Sequence, residues 1–364
     1  MAGPSAAVAA ARVAVRRWLE EAGPAPGDLA LVGCSGGADS LALVAATAFV
    51  APRLGLRAGA VVVDHGLQPG SDRVARRAAE QCRGLLDSDN GGGPVEVVPV
   101  TVADDGTGPE SAARQVRYAA LRATAQRLGA RAVLLGHTRD DQAETVLLGL
   151  ARGAGTRSAA GMAPTRVLTG TTGRPDRHSE TLGAGERGEG EGPGAWGREV
   201  VLLGRPFLGL PRAGTRQVCV DLGLRPWDDP HNEDPRFARV RARQALAGLE
   251  DVLGPGLVGN LARTADLLRE DADALDAVAG QAYLELGEPP WEVGAVGALA
   301  RAVRTRLWRR LALAAGSPGT DLTGEHLHAV DDLVARWHGQ GPLHLPGGVR
   351  AGRDGDRVWL RGQT

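Results

Sequence analysis

The first 150 residues alternate short runs of β-forming residues with helical stretches, and this rhythm limits the fold more than any other feature. Leu29–Val32 reads as a buried strand, Gly59–Val63 as a second, Val95–Val102 as a third and Ala132–Leu135 as a fourth. Asp39–Phe49, Arg73–Leu86, Glu110–Leu128 and Asp140–Ala151 read as the helices that follow them. Strands alternating with helices pack as a parallel sheet covered on both faces. The expected fold class is therefore α/β, with an N-terminal doubly wound, mainly parallel sheet and a mainly helical domain after it. Such sheets bind ligands at the carboxyl ends of their strands. The polar strand ends Ser35–Ser40, Asp64-His65 and His137–Glu144 are thus expected to converge.

From Thr165 to Arg198 the composition shifts to Gly, Thr, Arg and Glu, which reads as an insertion without structure of its own. Val200–Leu203 reads as a fifth strand and Pro211–Leu222 as a helix. Beyond Asp228 the pattern is mainly helical, over Arg236–Leu249, Leu257–Ala279, Gly297–Ala314 and Glu325–Trp337, with a hairpin at Leu343–Gly348. The expected domains are 1–225, 226–320 and a small extension or cap over 321–364.

Composition removes several classes of chemistry. All 42 basic residues are arginine, so no P-loop lysine, pyridoxal Schiff base or lysyl-adenylate nucleophile exists in this chain. A phosphate cradle must use backbone N–H groups, a helix dipole and arginine. Cys34, Cys82 and Cys219 are scattered, which argues against a disulfide framework or a zinc site and fits a cytoplasmic setting. The longest apolar run, Ser40–Pro52, is too short to cross a bilayer, so no membrane is expected. Val8, Val15, Trp18 and Leu19 mark an opening amphipathic helix rather than a targeting segment. With a formal net charge of −1, nucleic acid can be bound only through a local basic patch.

Four clusters carry chemistry. Ser35-Gly36-Gly37-Ala38-Asp39-Ser40 follows a strand and opens a helix, where close backbone approach and a positive helix end suit a pyrophosphate. Asp39 would repel that anion unless it holds Mg²⁺ between carboxylate and phosphates; the plainer reading is a capped strand-to-helix turn. His137, Asp141 and Glu144 bring an imidazole and two carboxylates to the next strand end, with Asp141 and Glu144 on one helical face. They suit binding metal or positioning an amine, whereas Asp140 reads as an N-terminal cap. Glu110, Arg114 and Arg117 share one stripe of a helix that also carries Tyr118, either as a phosphate grip or as a solvated ion-pair face. Finally, the Pro-bracketed segment Asp229-Pro230-His231-Asn232 leads into Arg236, Arg239, Arg241 and Arg243, the best nucleic-acid patch in the chain. Arg301, Arg304, Arg306, Arg309 and Arg310 read as a solvated helix face.

In this order the four stretches resemble the ATP-pyrophosphatase, or PP-loop, superfamily and within it the tRNA(Ile)-lysidine synthetases. The stretches are Ser35–Ser40, Val63-Asp64-His65-Gly66-Leu67, His137–Thr145 running to Ala151-Arg152-Gly153, and Asp229–Asn232 with its arginines. The likeness spans about residues 28 to 245. Three positions depart from the family pattern: Thr138 where a second His is usual, His231 where Ser is usual, and Val240 where Asn is common.

The resemblance implies an adenine nucleotide α hydrolase-like catalytic domain over 1–225 and a helical tRNA-binding domain over 226–320. It implies ATP and Mg²⁺ as cofactors, with an isoleucine tRNA bearing a CAU anticodon and L-lysine as substrates. Adenylation of O2 of the wobble cytidine releases pyrophosphate, and the lysine side-chain amine then attacks C2 and expels AMP, leaving lysidine. Ser35, Gly36, Gly37, Ala38, Asp39 and Ser40 would hold the pyrophosphate end of ATP, with Asp64 and His65 near adenine and ribose. Arg114 and Arg117 would steady phosphate charge, and Asp39 and Asp141 would carry the metal. Asp39, His137, Asp141 and Glu144 would be catalytic, and Asn232, Arg236, Arg239, Arg241 and Arg243 would contact tRNA. Oligomeric state stays open between monomer and homodimer. The alternatives are a thiolating or amidating enzyme of the same superfamily, or a non-catalytic nucleotide or RNA binder.

Overall fold

A computed structural model describes residues 3–362 except Leu67, Pro69, 88–91, 102–108, Ala154, 169–199 and Thr320, with the side chains of 109–111 also outside the description. The chain divides into two compact units at Leu267–Leu268. The break falls beyond residue 225, inside a long helix.

The first unit begins with α1 (Ala6–Ala22), capped by Ser5, whose side-chain oxygen accepts from the Val8 N–H. Its apolar stripe Val8, Ala11, Val15, Trp18 and Leu19 is buried, as the amphipathic spacing requires. Next come β1 (Leu29–Cys34), α2 (Ala38–Val50), β2 (Arg57–Asp64), α3 (Ser71–Leu86), β3 (Val95–Pro99) and α4 (Pro109–Leu128). β4 (Ala130–Leu135), α5 (Arg139–Ala151), α6 (Thr156–Ala159), β5 (Thr165–Val167), β6 (Leu202–Gly204) and α7 (Arg212–Asp221) follow, and α8 (Ala238–Leu253) leads into α9 (Leu257–Leu286).

The sheet order is β3-β2-β1-β4-β6-β5. All pairings are parallel except that of β5 with β6, which places an antiparallel strand at the edge. Chain order reverses between β1 and β4, the point where open α/β sheets bind ligands. α2, apolar all round, is buried among α1, α3 and α7 on one face. α4 covers the other with Leu121 and Ala125 against Leu31, Val133 and Leu203.

Two expectations need correction. Thr165–Val167 does not open an unstructured insertion: it pairs with β6, and Leu168 beside it is buried. The rest of the expected insertion lies outside the described residues. The third strand also ends at Pro99, three residues before Val102.

The second unit comprises the remainder of α9, β7 (Trp291–Glu292), α10 (Val293–Gly297), α11 (Arg301–Ala314), α12 (Gly324–Ala335), β8 (Leu343–His344), β9 (Arg350–Asp354) and β10 (Arg357–Arg361). Leu307, Trp308, Leu333, Val349 and Val358 fill its core. The expected hairpin is present, since β8 and β9 pair antiparallel, Leu343 with Ala351 and His344 with Arg350, around the 3-10 turn Pro346–Gly348; a second hairpin, β9–β10, turns at Gly355. The Pro-Gly-Gly sequence carries the signal of the first of these turns. Among the described residues no helix is long and apolar enough to cross a membrane.

Candidate active site

The strand ends β1, β2 and β4 meet as the parallel topology requires. After β1 the chain turns at Gly36, whose φ of +85° is the left-handed region that glycine favours. Gly37 caps α2 without a side-chain acceptor, so the first N–H groups of this thirteen-residue helix point into the loop. Ser40 braces the loop: its Oγ donates to the Gly37 carbonyl at 2.9 Å and accepts from the Ser35 N–H at 3.2 Å. The Ser35 Oγ accepts from Gly37 N–H at 3.4 Å. Gly136, at the end of β4, lies so close that an added Cβ would stand 2.8 Å from the Asp39 carbonyl oxygen. Only glycine lets this strand end touch the loop. On the far side of Gly36 a cleft of about 260 Å³ opens between Arg73, Arg77, Arg225 and Trp227.

Asp39 is the second residue of α2. Burial pushes its carboxyl up to about 6, helped by Asp141 and Asp140 and opposed by a short hydrogen bond from Thr215 Oγ1 and by Arg212. Arg212, the first residue of α7, joins three carboxylates. Its Nη2 is 2.7 Å from Asp141 Oδ1 and 3.2 Å from Glu144 Oε1, and its Nε is 3.9 Å from Asp39 Oδ2. Burial disfavours its charge, but Asp141, Glu144, Asp39 and Asp140 outweigh that and hold it protonated. Asp140 fixes the start of α7 by accepting the Arg212 backbone N–H at 2.8 Å. It is therefore not the cap of α5.

That cap is Thr138. The Asp141 N–H donates to its Oγ1, while Asp141 Oδ2 accepts from the Thr138 N–H and hydroxyl, both at 2.7 Å. The departure from a second histidine thus supplies a capping box that fixes Asp141. Glu144 is buried: Oε1 accepts from Arg212 and, at 2.9 Å, from Arg243 Nε, whereas Oε2 is buried without a hydrogen-bond partner. His137 is half-buried, but its Nδ1 is buried and likewise lacks a partner. Burial first, then Arg205, Arg239, Arg114 and Arg117, holds it well below the usual imidazole range, so it is neutral at physiological pH.

His65 directly follows β2, and burial and Arg117 lower its imidazole against the opposing charge of Asp64. Asp64 Oδ1 accepts the Gly66 N–H at 3.1 Å. Arg114 and Arg117 face inward, their guanidinium carbons 5.0 and 5.9 Å from the Tyr118 ring centroid. Of the two readings of that stripe, the solvated ion-pair face is the one this geometry disfavours; the Glu110 side chain lies outside the described residues.

The expected tRNA patch divides. Arg236 is exposed and paired with Asp234 at 2.6 Å, and Arg241 donates to the Pro235 and Arg236 carbonyls at 2.8 Å. Asn232 closes a 3-10 turn whose Asp229 side chain accepts the His231 N–H. Arg239 and Arg243 act inward instead, on His137 and Glu144. A phosphate-binding pattern read from spacing could not separate them, because helix α8 brings one of its faces against α5.

Comparison with known proteins agrees with this architecture. Residues 12–249 match the PP-loop domain model, and residues 292–359 match the model of the TilS substrate binding domain. A tRNA(Ile)-lysidine synthase of Thermobifida fusca is 52% identical over 98% of both chains, and one of Streptomyces coelicolor is 48% identical over 99% of both. The chain belongs to the tRNA(Ile)-lysidine synthases. Among solved structures, the U34-tRNA thiolase NcsA from Methanococcus maripaludis, determined with its iron–sulfur cluster, shares the fold. It matches at a TM-score of 0.53 and 17% identity, covering 72% of this chain and 80% of that one. Membership makes the chain a ligase with a PP-loop ATP-binding domain.

Sequence reasoning missed Arg212, Thr215, Arg205 and Arg166 as site residues. Arg205 carried a usable signal, since it directly follows a strand, like the polar ends of β1, β2 and β4. Arg212 and Thr215 carried none, because nothing in a helix opening with Pro-Arg announces that its first turn will meet another helix across the sheet.

Proposed function

We propose that this chain, which makes lysidine on tRNA(Ile) as its family does, joins L-lysine to the wobble cytidine of a CAU anticodon in two steps. The loop Ser35–Ser40 and the N-terminus of α2 hold the β- and γ-phosphates of ATP. Cytidine O2 attacks the α-phosphorus, pyrophosphate leaves, and an O2-adenylated cytidine results. Arg114 and Arg117 face the phosphate developing charge across the strand ends. The lysine ε-amine then forms the bond to C2 and AMP departs with the C–O electron pair. Asp64 and His65 border the adenosine.

Mg²⁺ is taken by one or two carboxylates plus substrate phosphates rather than by an all-protein cage. Asp39, at the mouth of the phosphate loop, fits that demand with Asp141 as its neighbour. When bound, the cation supplies charge neutralisation at the phosphates. Among the described residues no group of three or more His, Cys, Asp or Glu forms a cage by itself.

The observation that carries the second step is Glu144. A buried carboxylate oxygen without a partner is costly unless a ligand meets it. Glu144 Oε2 is such an acceptor, and a lysine ammonium is the donor that this reaction brings. The ammonium gives a proton to the carboxylate pair as it becomes a nucleophile, and Arg212, already shared among the carboxylates, relaxes toward Asp39. His137, neutral, contributes a hydrogen bond and no charge. Asn232, Arg236 and Arg241 face the tRNA outside, while Arg239 and Arg243 join the site to that surface.

The test uses purified protein, radiolabelled L-lysine, ATP and Mg²⁺ with isoleucine tRNA transcripts bearing CAU or GAU. Label enters the CAU transcript alone, with AMP and pyrophosphate released. In Glu144→Gln, pyrophosphate release persists while lysine transfer falls about a hundredfold, the scale of a lost charged hydrogen bond in a site closed to water. Label entering both transcripts, or none, refutes the reading.

A further inference from the structure

Tyr118 stands among arginines of which the two steps above use only Arg114 and Arg117. Its ring meets three guanidiniums, with the carbons of Arg166, Arg114 and Arg117 at 4.7, 5.0 and 5.9 Å from the centroid. Its hydroxyl oxygen is buried and has no hydrogen-bond partner. Beside it Arg205, itself buried, spends Nη1 on the Ala163 carbonyl at 2.6 Å but leaves Nε buried without a partner. His137 Nδ1 is the third buried polar atom left over. Two of the three are donors, and both await an acceptor. Burial raises the phenol, yet Arg114, Arg205, Arg166 and Arg117 outweigh it and bring Tyr118 to about 8. The surroundings of the Tyr118 hydroxyl are therefore positive in sum and suited to an anion.

The reaction brings three kinds of anion. The ATP phosphates have the loop and the N-terminus of α2. The tRNA backbone is a surface polymer and suits the exposed Arg236 and Arg241 rather than atoms buried beneath α4. What remains is the carboxylate of the amino acid, a small group that accepts from a guanidinium and a hydroxyl together. Its amine end is already provided for: His137, on which Arg205, Arg114 and Arg117 also act, directly precedes Thr138, whose cap fixes Asp141.

We infer that Tyr118, Arg166 and Arg205 form a pocket that reads the α-carboxylate of the lysine substrate. The inference rests on lysine as the amine donor. It makes the enzyme selective for an amino acid over a simple diamine, with the carboxylate held in this pocket and the ε-amine at Glu144.

The experiment compares L-lysine, L-lysinamide and cadaverine in wild type, Tyr118→Phe and Arg166→Met, reading KM and kcat for each amine together with KM for ATP and tRNA. Removing a hydroxyl that has no internal partner carries no stability cost of its own, so the melting temperature of Tyr118→Phe stays at the wild-type value. KM for L-lysine rises about tenfold in Tyr118→Phe, as expected for one lost hydrogen bond to a charged group. KM for lysinamide and cadaverine, already high, does not move. Arg166→Met shows the same split. An unchanged lysine KM, an equal loss for all three amines, or a loss confined to ATP or tRNA overturns the pocket. Wild type that transfers no lysine overturns the underlying reading instead, whatever the variants do.

Discussion

Each unit buries an arginine against carboxylates, and the two clusters differ in what they leave over. In the second unit Arg304 grips Asp331 with two bonds, Nε to Oδ1 at 2.8 Å and Nη2 to Oδ2 at 3.0 Å. The Trp308 indole N–H donates to the same Oδ1 at 3.1 Å, and Arg304 Nη1 donates to the Leu299 carbonyl at 2.7 Å. Every polar atom of Asp331 is used internally. In the first unit Arg212 is divided among Asp39, Asp141 and Glu144, while Glu144 Oε2 and His137 Nδ1 go unmet. The direction of titration follows the same contrast. Burial opposes ionisation of both Asp331 and Asp39, but Arg304 and Trp308 overcome it and hold Asp331 low, whereas Asp39 is held up at about 6. A fully satisfied buried network rigidifies the core around it, whereas an incomplete one leaves buried polar atoms unpaired.

The contrast is broken most directly at Asp39. Asp39→Asn lowers pyrophosphate release by about a thousandfold, since it removes charge stabilisation at the phosphates. Its melting temperature does not fall, because the wild-type carboxylate is buried where ionisation is disfavoured. Pyrophosphate release that survives the substitution removes Asp39 from the chemistry.

Arg212→Met strips the shared cation from three carboxylates. Lysine transfer drops about a hundredfold, and stability falls by about 3 kcal/mol, the scale of leaving buried charge uncompensated. Steady-state transfer and urea unfolding check the two halves separately, and loss of stability alone makes Arg212 purely architectural.

Asp331→Asn sharpens the other side. It destabilises by about 3 kcal/mol near neutral pH through loss of the bidentate pair, while lysine transfer per folded molecule is unchanged at low temperature. Because Asp331 titrates below its ordinary value of 3.8, its contribution is present above that value and fades as pH falls through the depressed folded one. Urea midpoints measured downward from pH 5 therefore converge for wild type and variant. Parallel midpoints down to the acid limit contradict the assignment.

The smallest effect is at the surface. Arg236→Ala weakens tRNA binding only a few-fold, because one exposed phosphate contact contributes modestly and Asp234 already shares its charge. Binding measured across a salt series loses about one unit of slope. No change in slope places Arg236 off the RNA.

Most of the first unit was legible in the chain. Apolar β runs separated by helical repeats dictate a parallel sheet, and Gly36 and Gly37 after β1 announce an anion loop, because both signals are local in sequence. The edge strand Thr165–Val167 was not legible, since three residues carry no periodicity and are ordered only by pairing with β6. The hairpin β8–β9 was legible in the Pro-Gly-Gly turn, whereas β9–β10, short and arginine-rich, was not.

The same boundary runs through the site. Sequence by itself determined the strand-end residues Asp39, Asp64, His65, His137, Asp141 and Glu144, because topology sends every such end to one edge of a parallel sheet. It also determined Arg114 and Arg117 as one helical stripe. Only the tertiary structure decided that Arg212 neutralises that cluster, that Thr138 caps α5, that Arg243 turns inward to Glu144, and that Tyr118 sits among guanidiniums with its hydroxyl unmet. These are contacts between elements distant in sequence. They depend on how far one helix slides across another, a quantity set by packing and carried by no single stretch of residues.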